Sequence, residues 1–227
     1  MTRPVADVLR GGQALLLDFD GPVCRVFAGH PNVAVATMLR RYLEGVGIEL
    51  PAEFATNRDP LKLLQWVGKT HRQHIHPVED LLIEGETTAA ASSTPTAGAA
   101  EVVRDAYGAG WPIAIVSNNA ASAIERYLDI HGLADYLTAV AGRPYGEPER
   151  MKPRPDMVQV AAERLGVPIA SCVLVGDSPS DIEAARAAGA IPVGYVKAPD
   201  RRASLYDAGP AALIDDMRDL LGVWVAA

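Results

Sequence analysis

The feature that most constrains the fold of this chain is an alternation of short apolar runs with helix-like segments. Six apolar runs, each bounded by glycine, proline or polar residues, have the length of buried strands and are too short for core helices. They are residues 14–19, 113–117, 137–141, 172–176, 191–193 and 212–214. Helix-like segments lie at 99–109, 121–131, 155–165 and 180–188, and each is followed by glycine, a common helix stop. This order predicts an α/β fold, in which helices cover both faces of a mainly parallel sheet.

One long interval interrupts the alternation between the first and second apolar runs. Its helix-like segments are residues 33–45, 60–69 and 77–90. We therefore expect residues 24–94 to form an inserted α-helical domain, and residues 1–23 and 95–227 to form the core domain. Small and turn-forming residues are concentrated in 87–98, which suits a return linker and hinge, although its alanines could also extend the last helix.

The composition is that of an ordinary globular chain. Its 227 residues, 49% of them hydrophobic, are enough for one large domain or for a core with a smaller insert. The net charge of −7 argues against nucleic acid or an anionic membrane surface as a partner. Cys24 and Cys172 form no CxxC pair, so neither a disulfide framework nor a zinc site is expected. Without a signal-peptide core or a run approaching the ~18 apolar residues of a membrane span, we expect a soluble cytoplasmic protein.

Three aspartates lie at or just beyond the ends of two of the apolar runs. Asp18 and Asp20 belong to the sequence DFDG at residues 18–21, and residues two apart on a strand point the same way. Asp177 ends another run. Because ligands bind at the carboxyl edge of an open parallel sheet, where the strand order switches, these carboxylates are expected to meet there. The sequence therefore predicts a hard-oxygen site suited to Mg²⁺, which keeps several waters and shares its other positions with phosphate.

Two further segments supply groups that suit a phosphate. Ser117, Asn118 and Asn119 end the second apolar run and precede a helix, so a hydroxyl and backbone N–H groups could hold phosphate oxygens. Lys152 lies in a proline-stiffened loop and could offset the charge of clustered carboxylates and phosphate. Plainer roles also fit: the triplet could only cap a helix, Lys152 could be a solvated surface residue, and the DFDG aspartates could only form a turn.

The four motifs, ending with GDSPSD at residues 176–181, stand in an order that resembles the haloacid dehalogenase superfamily. The resemblance is to its phosphatases with a helical cap, of the phosphoglycolate phosphatase and beta-phosphoglucomutase kinds, and it spans nearly the whole chain. It implies a Rossmann-like three-layer core, with residues 24–94 as the cap. It also implies a Mg²⁺-dependent phosphoric monoester hydrolase that acts on a small phosphorylated metabolite.

The resemblance implies a role for each side chain of these motifs. Asp18 would be the nucleophile that forms an aspartyl-phosphate, and Asp20 would protonate the leaving alcohol and then activate water. Ser117 would bind the transferring phosphoryl group, and Lys152 would pair with Asp18 and with the phosphate. Asp181 would orient Lys152 or a metal-bound water.

The remaining implied roles concern the metal and the backbone. The Asp18 carboxylate, the Asp20 carbonyl and the Asp177 carboxylate would hold Mg²⁺. Backbone N–H groups of Gly21 and Asn118 would add contacts to the phosphate.

Two features narrow or qualify this interpretation. The dehalogenating branch of the superfamily lacks an aspartate equivalent to Asp20, so dehalogenation is disfavoured. Pro22 stands where most of these phosphatases have threonine, and proline removes a hydroxyl and a backbone donor. A phosphomutase of the beta-phosphoglucomutase kind and a catalytically weak phosphate-binding regulatory module stay open beside the phosphatase, as do the substrate and the oligomeric state.

Two other groups of polar residues admit alternatives. His71, His74 and His76 of the insert suggest a transition-metal site, but no carboxylate or cysteine stands at ligand spacing, and a solvated surface is the preferred interpretation. Arg143 and Tyr145 lie in a glycine- and proline-rich loop after the third apolar run, where they could contact substrate or order the loop.

Overall fold

The computed structural model describes residues 2–224, except for the side chain of Ala55. Its strands are β1 (Ala14–Leu17), β2 (Cys24–Arg25), β3 (Thr94–Pro95), β4 (Ile113–Val116), β5 (Ala139–Ala141), β6 (Cys172–Gly176), β7 (Ile191–Tyr195) and β8 (Ala212–Ile214). Its α-helices are α1 (Val5–Leu9), α2 (Asn32–Gly45), α3 (Ala52–Ala55), α4 (Pro60–Thr70), α5 (Ile75–Ala91), α6 (Ala99–Gly108), α7 (Ala121–Ile130), α8 (Asp156–Leu165), α9 (Pro179–Ala188) and α10 (Arg202–Asp207). Short 3-10 helices occupy Val26–Ala28, Arg72–His74, Ala134–Tyr136, Pro148–Arg150, Ile169–Ser171, Pro199–Arg201 and Met217–Leu220.

Six of these strands form one sheet in the order β5-β4-β1-β6-β7-β8, and every neighbouring pair in it is parallel. The chain proceeds outward from β1 through β4 to β5, then returns to β6 on the other side of β1. This reversal of strand order opens a crevice at the carboxyl end of β1. Each of the six predicted apolar runs overlaps one of these six strands, and the predicted α/β fold with a mainly parallel sheet is confirmed.

Alternate residues of the strands pack against two helix layers. On β1, Leu15 and Leu17 contact the layer that contains α6 and α7, whereas Ala14 and Leu16 contact the layer that contains α8 and α9. All four side chains are buried, which is why the run is apolar without alternation. The sheet is therefore covered on both faces, and ligands have access to it only at its edges and ends.

The helices of the insert enclose an apolar cluster of their own. Its members come from α2, α3, α4 and α5 and include Leu39, Phe54, Leu64, Val67 and Leu82. The last helix, α5, also packs along α7 of the core, and Ala89 and Ala90 near its end belong to the main core cluster. The insert thus combines a separate small core with one helix that is shared with the sheet domain.

The differences from expectation concern short elements. The helices α1, α3 and α10 span only four to six residues and leave too weak a periodic pattern to be predicted. The pair β2–β3 was also missed; it joins the segments that leave and re-enter the core in an antiparallel ladder. The alternative in which the alanines of 87–98 extend the last helix is confirmed, because α5 runs to Ala91. None of the described helices combines the length and apolarity needed to cross a membrane.

Candidate active site

Asp18 is the first residue after β1, at the centre of the sheet's carboxyl edge. Its N–H donates to the carbonyl of Val175 on β6, 2.9 Å away, so the backbone at this point is still held by the neighbouring strand. The residue is only 7% exposed. Strand pairing on a buried sheet therefore fixes the direction of this carboxylate, which points toward the loop that carries Lys152.

Lys152 is buried, and its ammonium group has three oxygen partners. The Nζ atom lies 2.8 Å from Asp18 Oδ1, 2.6 Å from Asp181 Oδ1 and 2.9 Å from the Val116 carbonyl. The side chain of Asn118 fixes the backbone of the same residue: its Oδ1 accepts from the Lys152 N–H at 2.8 Å, and its Nδ2 donates to the Lys152 carbonyl at 3.3 Å. The alternative of a solvated surface lysine is therefore wrong.

The electrostatics of the pair follow from its burial. Burial, and then repulsion from Asp181, raise the pKa of Asp18 to about 8, although Lys152 acts in the opposite direction. Burial lowers the pKa of Lys152, but attraction to Asp18 and Asp181 outweighs it, and the net shift is upward. The lysine thus stays charged at neutral pH, while the ionised form of Asp18 requires more positive charge than one lysine provides.

Asp181 has a supporting position in the first turn of α9. Its Oδ2 accepts from the N–H of Ser178 at 3.0 Å and from the Ser178 hydroxyl at 2.7 Å, which forms a capping box at the start of the helix. Its Oδ1 is the partner of Lys152. The spacing of the GDSPSD sequence thus lets one carboxylate cap a helix and hold the lysine.

Asp177 follows β6 and pairs with Lys197, which follows β7. Burial raises the pKa of Asp177, while Lys197 acts to lower it. Gly21, with a φ of 133°, approaches this carboxylate so closely that a Cβ at residue 21 would lie 2.6 Å from Asp177 Oδ2. The glycine of the DFDG sequence is required for that approach as well as for the turn.

A divalent cation fits the donor set of this cleft. Asp18, Asp177 and Asp181 each offer a carboxylate oxygen, and the three oxygens lie within 4.8 Å of one another. Because both oxygens of Asp181 already have partners, Asp18 and Asp177 are the carboxylates suited to bind the ion. With Asp20 and Asp59, five carboxylates line a cleft with three cationic side chains, so a phosphate dianion would add to an excess of negative charge. Hard carboxylate oxygens with room for water and phosphate are the ligands that Mg²⁺ prefers.

The turn after β1 orients Asp20. Its Oδ1 accepts from the N–H of Val26 at 3.1 Å, so the residue that begins the path into the insert also holds this carboxylate. The N–H of Gly21 donates to the Cys24 carbonyl at 2.7 Å, which directs it into the turn instead of toward the predicted phosphate. Pro22 is buried within this turn, a position that requires no backbone donor from it.

Ser117 is the first residue after β4 and is buried beside Asp18 in the same cleft. Its hydroxyl donates to Asn119 Oδ1 at 3.2 Å and accepts from the N–H of Asn119 at the same distance. The triplet is therefore not a helix cap, since the N-cap of α7 is Ala120, whereas Ser117 lines the cleft and Asn118 holds the backbone of Lys152.

The cleft has a volume of about 300 Å³ and is lined by all four motifs together with residues that the sequence did not single out. Lys197 and Arg201 come from the segment after β7, and Phe27, Asp59 and Leu61 come from the insert. Lys197 shares one signal with the predicted residues, a position just beyond the carboxyl end of a parallel strand. The three insert residues are separated from the core motifs in sequence and follow no recognisable pattern.

The histidines of the insert and Arg143, which the sequence analysis also considered, do not form a second site. His74 Nδ1 lies 3.1 Å from the Tyr42 hydroxyl and His76 stacks on Tyr145, so the insert histidines have separate partners. Within residues 2–224, the three cleft aspartates are the only group of histidine, cysteine or acidic side chains with metal-binding geometry. Arg143 is buried among glutamates of the insert, which resolves its role in favour of ordering the loop.

The fold and the cleft define a class of protein. The chain belongs to the haloacid dehalogenase-like hydrolase family, whose pattern it matches over residues 13–189. It is 42% identical over 85 residues to a phosphoglycolate phosphatase of Neisseria meningitidis, and 31% identical over 112 residues to one of Escherichia coli K12. These matches cover 37% and 49% of this chain but 35% and 44% of the relatives, so the chain spans less than half the length of the curated relatives it matches.

A solved structure extends the likeness to nearly the whole chain. A family hydrolase from Deinococcus radiodurans R1, crystallised with bound phosphate and sodium, is 26% identical with a TM-score of 0.62. The superposition covers 96% of this chain and 99% of that one. The predicted resemblance to the haloacid dehalogenase superfamily is confirmed.

Proposed function

We propose that this protein is a phosphatase that hydrolyses a phosphate ester of a small metabolite through an aspartyl-phosphate intermediate on Asp18, with Mg²⁺ as its cofactor. The observation that carries the proposal is the buried arrangement of Asp18, Lys152 and Asp181 at the switch in strand order, beside Ser117 and Asp177. Family membership and the phosphoglycolate phosphatase relatives support the same reaction class.

The first half of the reaction transfers the phosphoryl group to the protein. A carboxylate oxygen of Asp18 attacks phosphorus as the bond to the ester oxygen breaks. The positive charge of Lys152 attracts the phosphoryl oxygens, and the Ser117 hydroxyl donates a hydrogen bond to one of them. Asp20, two residues beyond the nucleophile, gives its proton to the departing alcohol. The alcohol then leaves the cleft, and an acyl phosphate stays on Asp18.

The second half returns the nucleophile. Asp20, now a carboxylate, takes a proton from water, and the water oxygen attacks phosphorus while the bond to the Asp18 oxygen breaks. The products are inorganic phosphate, free Asp18 and protonated Asp20, ready for another turnover. The hydrogen bond from the Val26 N–H keeps Asp20 oriented for both proton transfers.

The metal would be held by the Asp18 and Asp177 carboxylates, with the Asp20 carbonyl as a third ligand. When bound, it supplies positive charge that neutralises the phosphate next to the clustered carboxylates. Asp181 orients Lys152 and is not needed as a ligand.

We further propose that residues 24–94 act as a cap over the core formed by residues 1–23 and 95–227. Phe27, Asp59 and Leu61 of the insert line the cleft, and in this proposal they would contact the leaving group. With a volume of about 300 Å³, the cleft suits a small substrate and not a macromolecule. Both cysteines are free, which fits action in the reducing cytoplasm.

The test is hydrolysis of p-nitrophenyl phosphate and of a panel of phosphorylated metabolites by the purified protein, with and without Mg²⁺. Asp18→Asn should abolish turnover, while Asp129→Asn, on the exposed face of α7, should retain it. Full activity of the Asp18 variant would refute the mechanism. Formation of a sugar-phosphate isomer without free phosphate would identify a mutase, and metal binding without any turnover would identify a regulatory module.

A further inference from the structure

A cluster of three fully buried charges joins the insert to the loops that form the cleft. It consists of Glu79 and Glu86 on α5 and Arg143 on the loop after β5. Arg143 Nε lies 2.7 Å from Glu79 Oε1, and its Nη1 lies 2.9 Å from Glu86 Oε1. Burying two carboxylates for one guanidinium is costly unless other donors satisfy them. The identity of those donors indicates what the cluster is for.

Glu86 has its additional donors in the segment that follows Ser117. Its Oε1 accepts from Asn119 Nδ2 at 3.1 Å, and its Oε2 accepts from the N–H of Ala120 at 3.0 Å. Ala120 is the N-cap of α7 and has no side chain that could cap the helix, so a carboxylate from α5 provides that negative charge. Arg143 also contacts this segment, because its Nη1 donates to the Asn118 carbonyl at 2.7 Å.

These contacts form a chain that ends on the serine of the cleft. Glu86 holds the amide group of Asn119 by its nitrogen, and this fixes the opposite atom, Oδ1, as the acceptor for the Ser117 hydroxyl. If the amide turned over, Oδ1 would face the carboxylate and the Ser117 hydroxyl would lose the acceptor for its proton. Glu86 therefore holds the segment 117–120, and with it the position of Ser117 Oγ, from within the insert. A bound phosphate would take over the single hydroxyl proton from Asn119 Oδ1, whereas the hydrogen bond from the Asn119 N–H to Ser117 Oγ would remain.

Glu79 provides a contrast on the same helix. It is equally buried and pairs with the same arginine, but its other oxygen accepts from the N–H of Gly146 at 2.6 Å. It has no contact with the segment 117–120 among its hydrogen bonds. Glu79 thus helps to anchor α5, as Glu86 does, but it does not contact the segment 117–120 that contains Ser117.

We propose that Glu86 is a positioning residue for phosphate binding, which acts through Asn119 on Ser117, and that α5 is consequently a fixed part of the phosphate site. This inference rests on the proposed function of Ser117 as a phosphoryl ligand. It assigns to the insert a contribution to phosphate binding that is separate from any contact with the leaving group.

The experiment compares Glu86→Gln with Glu79→Gln as a matched control. Both variants remove one buried negative charge paired with Arg143, so both are expected to lower the melting temperature. Isothermal titration with inorganic phosphate in the presence of Mg²⁺ should show weakening by about 10- to 100-fold for Glu86→Gln and less than about twofold for Glu79→Gln. The KM for p-nitrophenyl phosphate should rise in parallel with the phosphate dissociation constant in the first variant.

The direction in which the phosphate affinity of Glu86→Gln changes distinguishes a positioning role from a simple charge effect. Removing a negative charge near the site would by itself strengthen binding of a phosphate dianion, whereas loss of orientation weakens it. Equal phosphate affinities in the two variants, or tighter binding by Glu86→Gln, would overturn the proposal, as would a wild-type protein that binds no phosphate. A wild type that binds phosphate but does not turn over esters would refute the phosphatase and leave this comparison decisive for Glu86.

Discussion

Lys152→Met tests the electrostatic centre of the cleft. The substitution preserves the bulk of the side chain and removes an ammonium group whose three partners are Asp18, Asp181 and the Val116 carbonyl. Removing one partner of a buried ion pair costs about 3–5 kcal/mol, and an orphaned buried carbonyl costs about 1–3 kcal/mol more. Burial of the methionine offsets part of this, so we expect a loss of about 3–5 kcal/mol in the free energy of unfolding.

The size of this loss should depend on pH. The folded-state pKa of Asp18 is raised from 3.8 to about 8, so its proton stabilises the folded state at low pH, and that contribution is lost as pH rises through this interval. Without Lys152, which lowers this pKa, the value moves further up. The variant therefore retains the Asp18 proton at a pH where the wild type has released it. The gap in stability between them should widen from pH 6 to pH 9.

Urea unfolding followed by circular dichroism at these two pH values provides the measurement. Lys62→Met, at an exposed position on α4, is the control and should change stability by no more than about 0.5 kcal/mol. A loss below about 1 kcal/mol for Lys152→Met, or a gap that narrows as pH rises, would refute the account of Lys152 as the cation that stabilises the buried carboxylates and lowers the pKa of Asp18.

Two further predictions concern the metal site. Gly21→Ala should weaken Mg²⁺ binding and lower the free energy of unfolding by about 1–3 kcal/mol, because a Cβ there collides with Asp177 and the backbone φ is 133°. Gly108→Ala is the control, because a Cβ at residue 108 meets nothing within 4 Å. Calorimetry that finds the same Mg²⁺ affinity in both variants would contradict the reasoning. Mg²⁺ affinity should rise about tenfold per pH unit between pH 6 and pH 7.5, since the ion displaces the proton from Asp18. A flat calorimetric profile over that interval would show that no such proton is released.

Much of the core fold could be predicted because buried parallel strands and their connecting helices leave local signals. The run 172–176 was predicted with the bounds that β6 has, and the helices that end before glycine were predicted to within one or two residues. The short ladder β2–β3 could not be predicted, since strands of two residues owe their existence to partners about 70 positions away along the chain.

In the candidate site, too, the residues with a local sequence signal could be predicted and those that depend on distant partners could not. Asp18, Ser117 and Asp177 could be assigned to one cleft because each follows a strand, and parallel strands bring their carboxyl ends to one edge. The Gly21 N–H was expected to contact the phosphate, but in the structure it donates to the Cys24 carbonyl within the turn. Glu86 could not be connected to phosphate, because nothing in its local sequence distinguishes it from a charge on a solvated surface. For Arg143 the sequence left contact with substrate and ordering of the loop as alternatives.

The sequence by itself determined the order of strands and helices, the interruption by a helical insert and the four segments that carry the charged and hydroxyl groups of the cleft. These features depend on residues near one another in the chain. Only the tertiary structure decided that Lys152 bridges Asp18 and Asp181 and that Lys197 pairs with Asp177. It also decided that Glu86 joins α5 to the segment 117–120. The physical reason is that a buried charge is stable only beside its partner, and packing of the whole chain chooses that partner.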